Sequence, residues 1–272
     1  MLITTIVGVA FAIVLVAPPA GASSATVGND ISYPQCGMRL PAGHAFGVVG
    51  VNGGRSFTKN PCLARQLAWE KRGSTSYGPA FYANTGNPGP AYTSVWPYGQ
   101  TWPRTCRASN PNSSSCAYDY GWNSAKHSFR TAVRAIQRLD DVSRQNAVWR
   151  AGGVRWWLDV ETMNSWQTLL DGYGPTSQSK LNDTAALLGA VDALHDSGAW
   201  RVGIYSTSFQ WKQITGGSTY TKWYFTSNAV WLAGYEGTED ALDGCSDASF
   251  TGGRVLMTQY LHKGFDADVR CQ

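Results

Sequence analysis

Seven short runs of β-branched and aromatic residues recur along the 272-residue chain, and the early ones are separated by stretches of helical periodicity. The runs cover residues 27–32, 46–52, 79–85, 154–162, 200–207, 229–235 and 255–261. Strands that alternate with helices pair in parallel, because a parallel connection needs a crossover long enough to hold a helix. Residues 46–52 (FGVVGVN) are apolar on both faces, as a strand covered on both sides must be. Helices are expected over residues 61–71, opening on Pro61, over 122–142, with Phe129, Val133, Ile136 and Leu139 on one side, and over 181–195, stopped by Gly198. Only between 200–207 and 229–235 does the last third leave room for a helix; the run at 255–261 and the tail from Phe265 to Val269 follow with little helix. The pattern predicts an α/β fold: an irregular, TIM-like β/α barrel whose last strands are poor in intervening helices.

The first 22 residues read as a cleaved signal peptide, leaving residues 23–272 as a single barrel domain. Leu2 to Ala17 carry no charge, Pro18 and Pro19 break the run, and Ala20-Gly21-Ala22 supplies a small-x-small cleavage pattern. No Lys or Arg precedes the apolar run; an uncleaved anchor is the alternative, and it too places the domain outside the cytoplasm. A secreted or wall-associated monomer is expected. The net charge of +4 comes without a basic run, which argues against a nucleic-acid surface and suits an anionic wall polymer. All six cysteines lie beyond the leader, and an even count in an exported chain reads as disulfides. Many pairings are open; the sequential set, Cys36–Cys62, Cys106–Cys116 and Cys245–Cys271, closes three local loops. No CxxC pair exists and the four histidines are scattered, so neither a metal site nor a cofactor is expected. Gly53-Gly54-Arg55 lacks the spacing of a phosphate loop, and no G-x-S-x-G elbow is present.

The segment Trp156-Trp157-Leu158-Asp159-Val160-Glu161 is the most informative. Alternation puts Trp157, Asp159 and Glu161 on one face of a strand and Trp156, Leu158 and Val160 on the other. Two carboxylates at the C-terminal end of a barrel strand lie where barrel enzymes keep their catalytic groups. Held close, they cannot both ionise freely, which supplies one proton donor and one carboxylate near neutral pH. Asp30, in Gly28-Asn29-Asp30-Ile31-Ser32, and Asp266 with Asp268, in the tail, read alone as turn or strand-end acids. Residues 86–115 form a long loop rich in Pro, Gly, Asn and Ser, of a length that is functional or stapled. Of the twelve tryptophans, Trp96, Trp102, Trp166, Trp211 and Trp223 fall in loops or at element ends, where a ring either stacks on a sugar or packs a loop onto the barrel. Tyr205, Tyr235, Trp157 and Gln259, at inner strand positions, are the candidate substrate contacts.

Taken in order, these motifs resemble glycoside hydrolase family 25, the lysozyme-like muramidases. The family has an N-terminal G-x-D-x-S strand, a D-x-E strand in mid-chain and a late Q-Y strand followed by an Asp-containing segment; here they are Gly28 to Ser32, Asp159-Val160-Glu161, Gln259-Tyr260 and Asp266. Gly203-Ile204-Tyr205-Ser206 and Trp231-Leu232-Ala233-Gly234-Tyr235 look like its intervening strands. The resemblance implies cleavage of peptidoglycan or a related wall glycan with retention of configuration. Glu161 would be the general acid, Asp159 the nucleophile or the group that orients a substrate acetamido group, and Asp30 and Asp266 would hold the sugar and tune the pair. The chain departs from the family on the second strand, where Val49-Gly50-Val51-Asn52 stands in place of the usual Lys and Glu, and at Thr258, where a Trp is usual; Pro34-Gln35-Cys36 and the cysteines look like a divergent exported subgroup of the actinobacterial type. A barrel that binds wall glycan without cleaving it, and a hydrolase of another polysaccharide, remain alternatives.

Overall fold

The computed structural model describes residues 26–73, 79–221 and 223–271; the expected signal peptide lies outside the described residues. Eight strands close into a barrel: β1 (Val27–Ile31), β2 (Gly47–Gly50), β3 (Ala80–Asn84), β4 (Arg155–Asp159), β5 (Arg201–Ser206), β6 (Ala229–Tyr235), β7 (Val255–His262) and β8 (Phe265–Arg270). The first seven pair in parallel with their sequence neighbours. The last runs antiparallel to both β7 and β1.

The chemistry of one turn explains that reversal. His262 pairs with Phe265, leaving Lys263 and Gly264 as the whole connection. Both have positive φ, 52° and 79°, as the central residues of a type I′ turn require. Two residues cannot hold a crossover, so the tail folds back as a hairpin. The expected helix-poor end is thus a hairpin whose second strand, the tail, closes the barrel, but a short helix, Thr238–Asp243, also fits between the sixth and seventh strands, where none was expected.

Among the described residues, seven helices surround the strands: α1 (Leu63–Glu70), α2 (Ser114–Asp140), α3 (Arg144–Gly153), α4 (Ser177–Asp196), α5 (Ser208–Thr215), α6 (Ser218–Thr221) and α7 (Thr238–Asp243). The expected helix at 122–142 begins eight residues earlier, at Ser114. There the Ser113 side chain accepts the Cys116 N–H, and Cys106–Cys116 pins the first turn. Helices α3, α4 and α5 are capped in the same way, by Ser143, Thr176 and Thr207. All three disulfides join sequential cysteines, as expected, and Cys245–Cys271 ties the end of β8 to the segment after α7.

The main apolar layer lies between the outer strand faces and the helices. Trp156, fully buried, packs on Phe81 of β3 and Phe129 of α2, with ring centroids 5.0 and 5.6 Å apart. A second cluster, with Val48, Trp157, Trp231 and Met257, fills the barrel itself. The alternation read from residues 154–162 therefore holds: Trp156 and Leu158 face the helices, Trp157 the interior.

Helices α2 and α4 cross at van der Waals contact of their backbones. A Cβ at Gly121 would overlap the carbonyl of Ala186, and one at Gly189 that of Tyr118. Glycine inside a helix ordinarily costs about 1 kcal/mol relative to alanine. Here the sign is expected to invert, because the neighbour at each position is rigid backbone. Gly121→Ala should lower the urea midpoint by an amount equivalent to ~2 kcal/mol or more; an unchanged or raised midpoint would show that the helices separate without penalty.

Candidate active site

Inward-facing side chains form layers along the barrel axis, and the layer at the C-terminal ends of the strands is acidic. Register brings the acids together. Asp30 of β1 is paired directly with Asp266 of β8, and Gly28 with Asp268. On the far wall Asp159 ends β4, next to Asn84 of β3 and Tyr205 of β5. Glu161 follows two residues later. Its carbonyl accepts the Asn164 N–H at 3.1 Å and the Trp166 indole N–H at 2.8 Å, so the turn beyond the strand is anchored to its backbone.

Hydrogen bonds link the walls. Gln259 of β7 donates its amide to Asp30 at 2.8 Å and accepts the Tyr205 hydroxyl at 2.8 Å. The Asn84 amide donates to Asp159, and Asn84 is itself fixed by Asn52, whose amide donates to the Asn84 carbonyl at 2.9 Å. Gln210 of α5 accepts the Thr162 N–H at 2.6 Å and holds the segment beyond Glu161 against the helix.

The acids differ in depth. Asp159 is 4% exposed, Asp30 6% and Asp268 fully buried, while Glu161 and Asp266 reach the open end of the barrel and are half-buried. Burial raises every one of these carboxyls. For Asp30 the charge of Asp266 adds to that, and for Asp159 the charge of Glu161. Desolvation by burial is the main cause that raises Glu161. The two carboxyls therefore do not ionise independently, and Glu161 is the one accessible from the open end. Among the described residues no group of three or more His, Cys, Asp or Glu side chains is arranged to hold a metal ion.

The acids Asp30, Asp159, Glu161 and Asp266 thus converge, with Tyr205 and Gln259 among them. Two of the other candidates do not. Trp157 shares the inner face but lies a layer deeper, 2% exposed and packed against Trp231 at 5.6 Å, so it fills the barrel and has no open face for a ligand. Tyr235 points outward. The register shifts between Ala233 and Tyr235, where Gly234 has φ 103°. A bulge of this kind moves the next side chain to the opposite face. The Tyr235 hydroxyl donates to Asp247 at 2.7 Å, and its ring covers Gly244.

Of the loop tryptophans, Trp96, Trp166 and Trp211 are buried and pack their segments onto the barrel; Trp96 stacks on Tyr120 at 5.2 Å and donates to the Pro111 carbonyl at 2.8 Å. Trp102 and Trp223 are exposed.

Asn84, Asn52 and Tyr82 are site residues that strand patterning passed over. Asn84 and Tyr82 alternate inward along β3, and a polar residue ending an otherwise apolar and aromatic strand was the available signal. Tyr82 also accounts for Gly50, since a Cβ there would strike its ring and the Cβ of Ser32. The aromatic ring takes up the space that a longer second-strand side chain would need.

Buried acids with raised pKa values set the sign of the pH dependence of stability. Between the ordinary carboxylate pKa and the raised folded value, the folded state keeps a proton that the unfolded state has lost. That stabilisation is complete in acid and disappears as pH rises. Asp268→Asn, which has no proton to lose, should therefore melt near the parent's temperature at about pH 4 and at least ~3 °C above it at about pH 9. Thermal denaturation at the two pH values measures this, and an offset that does not change with pH would contradict a neutral buried Asp268.

No family model matches the chain, and no curated protein does. Solved structures do resemble it. The modular autolysin LytC from Streptococcus pneumoniae superposes with a TM-score of 0.50 at 14% identity, over 92% of this chain and 47% of the autolysin, so this chain spans about half of that protein's length. The autolysin has also been solved in complex with a synthetic peptidoglycan ligand. A muramidase from Trichobolus zukalii gives 0.49 at 16% identity, covering 90% of this chain and 93% of that one. The bacterial lysozyme from Streptomyces coelicolor gives 0.46 at 13% identity, covering 92% and 94%. At such identity the likeness to the autolysin is one of fold: this chain has the same kind of closed barrel.

Proposed function

We propose that the protein is an exported glycosidase of the muramidase type, related to glycoside hydrolase family 25, that hydrolyses peptidoglycan or a closely related wall glycan. The observation that carries this reading is the acid cluster at the C-terminal mouth of the barrel: Asp159, buried at the end of β4, Glu161 two residues beyond it, and Asp30 paired with Asp266 on the other wall. Fold likeness to an autolysin solved with a peptidoglycan ligand supports the substrate class. Three disulfides support an oxidising location beyond the cytoplasm.

Glu161 reaches the mouth and is the group that can protonate a glycosidic oxygen. As the carbon–oxygen bond breaks, its proton leaves with the departing sugar and positive charge develops at the anomeric carbon. Asp159 is nearly inaccessible and held by Asn84, which suits orienting an acetamido group better than attacking carbon. The acetamido oxygen of the substrate then forms the bond to the anomeric carbon. Water displaces it while the Glu161 carboxylate takes up the water's proton, and two inversions give net retention. Asp30 and Asp266, facing each other across β1 and β8, would bind sugar hydroxyls, with Tyr205 and Gln259 fixing Asp30.

Reducing-end release from purified peptidoglycan tests this. The parent should release ends, and Glu161→Gln should lose at least ~10³-fold in rate while still pelleting with the wall. Turnover near the parental level in that variant would overturn the assignment of the acid. Wall binding by both proteins with release by neither would make this a glycan-binding barrel instead.

A further inference from the structure

Behind the acidic end of the barrel lies a carboxyl that the proposed chemistry does not use. Asp183, in the second turn of α4, is fully buried. Each of its oxygens takes two donors. Oδ1 accepts the Asn87 side-chain amide at 2.8 Å and the Gln167 backbone N–H at 3.1 Å. Oδ2 accepts the Thr168 backbone N–H at 3.0 Å and the Thr168 hydroxyl at 2.8 Å. Burial pushes the carboxyl up to about 7, and all four hydrogen bonds act in the opposite sense. A carboxyl so placed costs free energy that an apolar residue would not, so what its four bonds hold together is the question.

They join the two segments that leave the mouth beside Glu161. One continues β3. Thr85 donates its backbone N–H and its hydroxyl to the Asp159 carbonyl, at 3.0 and 2.6 Å. Asn87 donates its backbone N–H to the Ser165 carbonyl at 2.8 Å and pairs with Trp166 in an isolated parallel bridge. The other segment continues β4 through Glu161 to Trp166, whose indole N–H returns to the Glu161 carbonyl. The next two residues, Gln167 and Thr168, are the ones that Asp183 holds. Asn182, also buried, donates to the Gln167 side chain at 3.0 Å and accepts the Ser114 hydroxyl at 2.9 Å, which ties the same turn of α4 to the start of α2. Glu161 thus lies between a strand end and a tryptophan, both fixed from behind.

We propose that Asp183 is a positioning residue for Glu161: it clips the segment from Glu161 to Thr168 to α4 and to the segment after β3, so that the acid stands in one place at the mouth. The inference rests on the reading of Glu161 as the general acid. A carboxylate suits the task because both of its oxygens accept, whereas an asparagine of the same shape would turn an N–H toward two of the donors. A misplacement of about 1 Å can cost on the order of 10²-fold in rate. The groups assigned to hold the sugar, Asp30, Asp266, Tyr205 and Gln259, stand on β1, β8, β5 and β7, and none of the four bonds reaches those strands. Loss of the clip should therefore reach turnover and spare binding.

Steady-state release of reducing ends from soluble peptidoglycan fragments tests this, with the full-length, oxidised chain assayed across pH and below the melting transition of each variant. Asp183→Asn should lose about tenfold or more in kcat, with KM within about twofold of the parent. The limb of the profile on which the acid loses its proton should also move to lower pH, because burial is the main cause that raises Glu161 and a loosened segment lets water reach it. Asp159, Asp266 and Tyr205, the other titratable groups that bear on Glu161, are unaltered in this variant, and a smaller folded fraction alone would leave the limb in place. Thr168→Val removes the hydroxyl donor alone and should move both readouts the same way by less; it decides the matter if Asp183→Asn does not fold. The role of Asp183 is overturned if the variants that fold match the parent in kcat, if they change KM alone, or if kcat falls with the limb unmoved. A parent that releases no ends overturns instead the reading of Glu161, and this role with it.

Discussion

The pairing of β8 with β1 is the interaction on which the rest depends. It closes the barrel, and it is made possible by a two-residue turn at Lys263-Gly264 that leaves the tail no route except back along β7. The same reversal determines what faces what. It sets Asp266 opposite Asp30 at one end and delivers Arg270 to the other. An eighth strand running parallel would have exchanged these positions, and the barrel would not have its facing acids in their present form.

Charge segregation along the barrel axis follows. Carboxyls gather where the parallel strands end and guanidinium groups where they begin, with Val48, Trp157, Trp231 and Met257 as an apolar plug between. The acidic end carries an electrostatic cost that a barrel built for stability alone would avoid, and burial raises the carboxyl pKa values there. The three disulfides and the close crossing of α2 on α4 supply rigidity against which such strain can be held.

Much of this was legible in the residues. Alternation over 154–162 separated Trp156 from Trp157 and put Asp159 on the inner face, because a strand's period of two leaves no choice once one face is apolar. The sequential cysteine pairs matched the structure for a similarly local reason. What sequence could not give was depth and interruption. Trp157 and Asp159 share a face, yet one is interior packing and the other lies at the mouth; periodicity carries no coordinate along the barrel axis. Tyr235 obeys alternation until Gly234 breaks it, and a glycine in a strand signals such a bulge only as one of several uses. Helices α3 and α7 are short; the Ser143 cap of α3 resembles a loop residue, and α7 opens on Gly237 with no side-chain cap. Asn84 was missed because an asparagine at a strand end is commonplace; only the Asp159 carboxyl beside it gives it a role.

The hydrogen bond from Gln259 to Asp30 spans 229 positions of sequence. Elements this far apart along the chain come together late, after the loop between them has been closed at the cost of its entropy. The first strand is made early and waits unpaired on one edge until the last has been synthesised. A nascent or truncated chain lacking β8 therefore lacks Asp266 and Asp268 and leaves the edges of β1 and β7 open, prone to associate with other chains. Timing is written into the topology: the acid cluster assembles only after the polypeptide is almost wholly made, and a chain still being synthesised carries the residues of the site without the site.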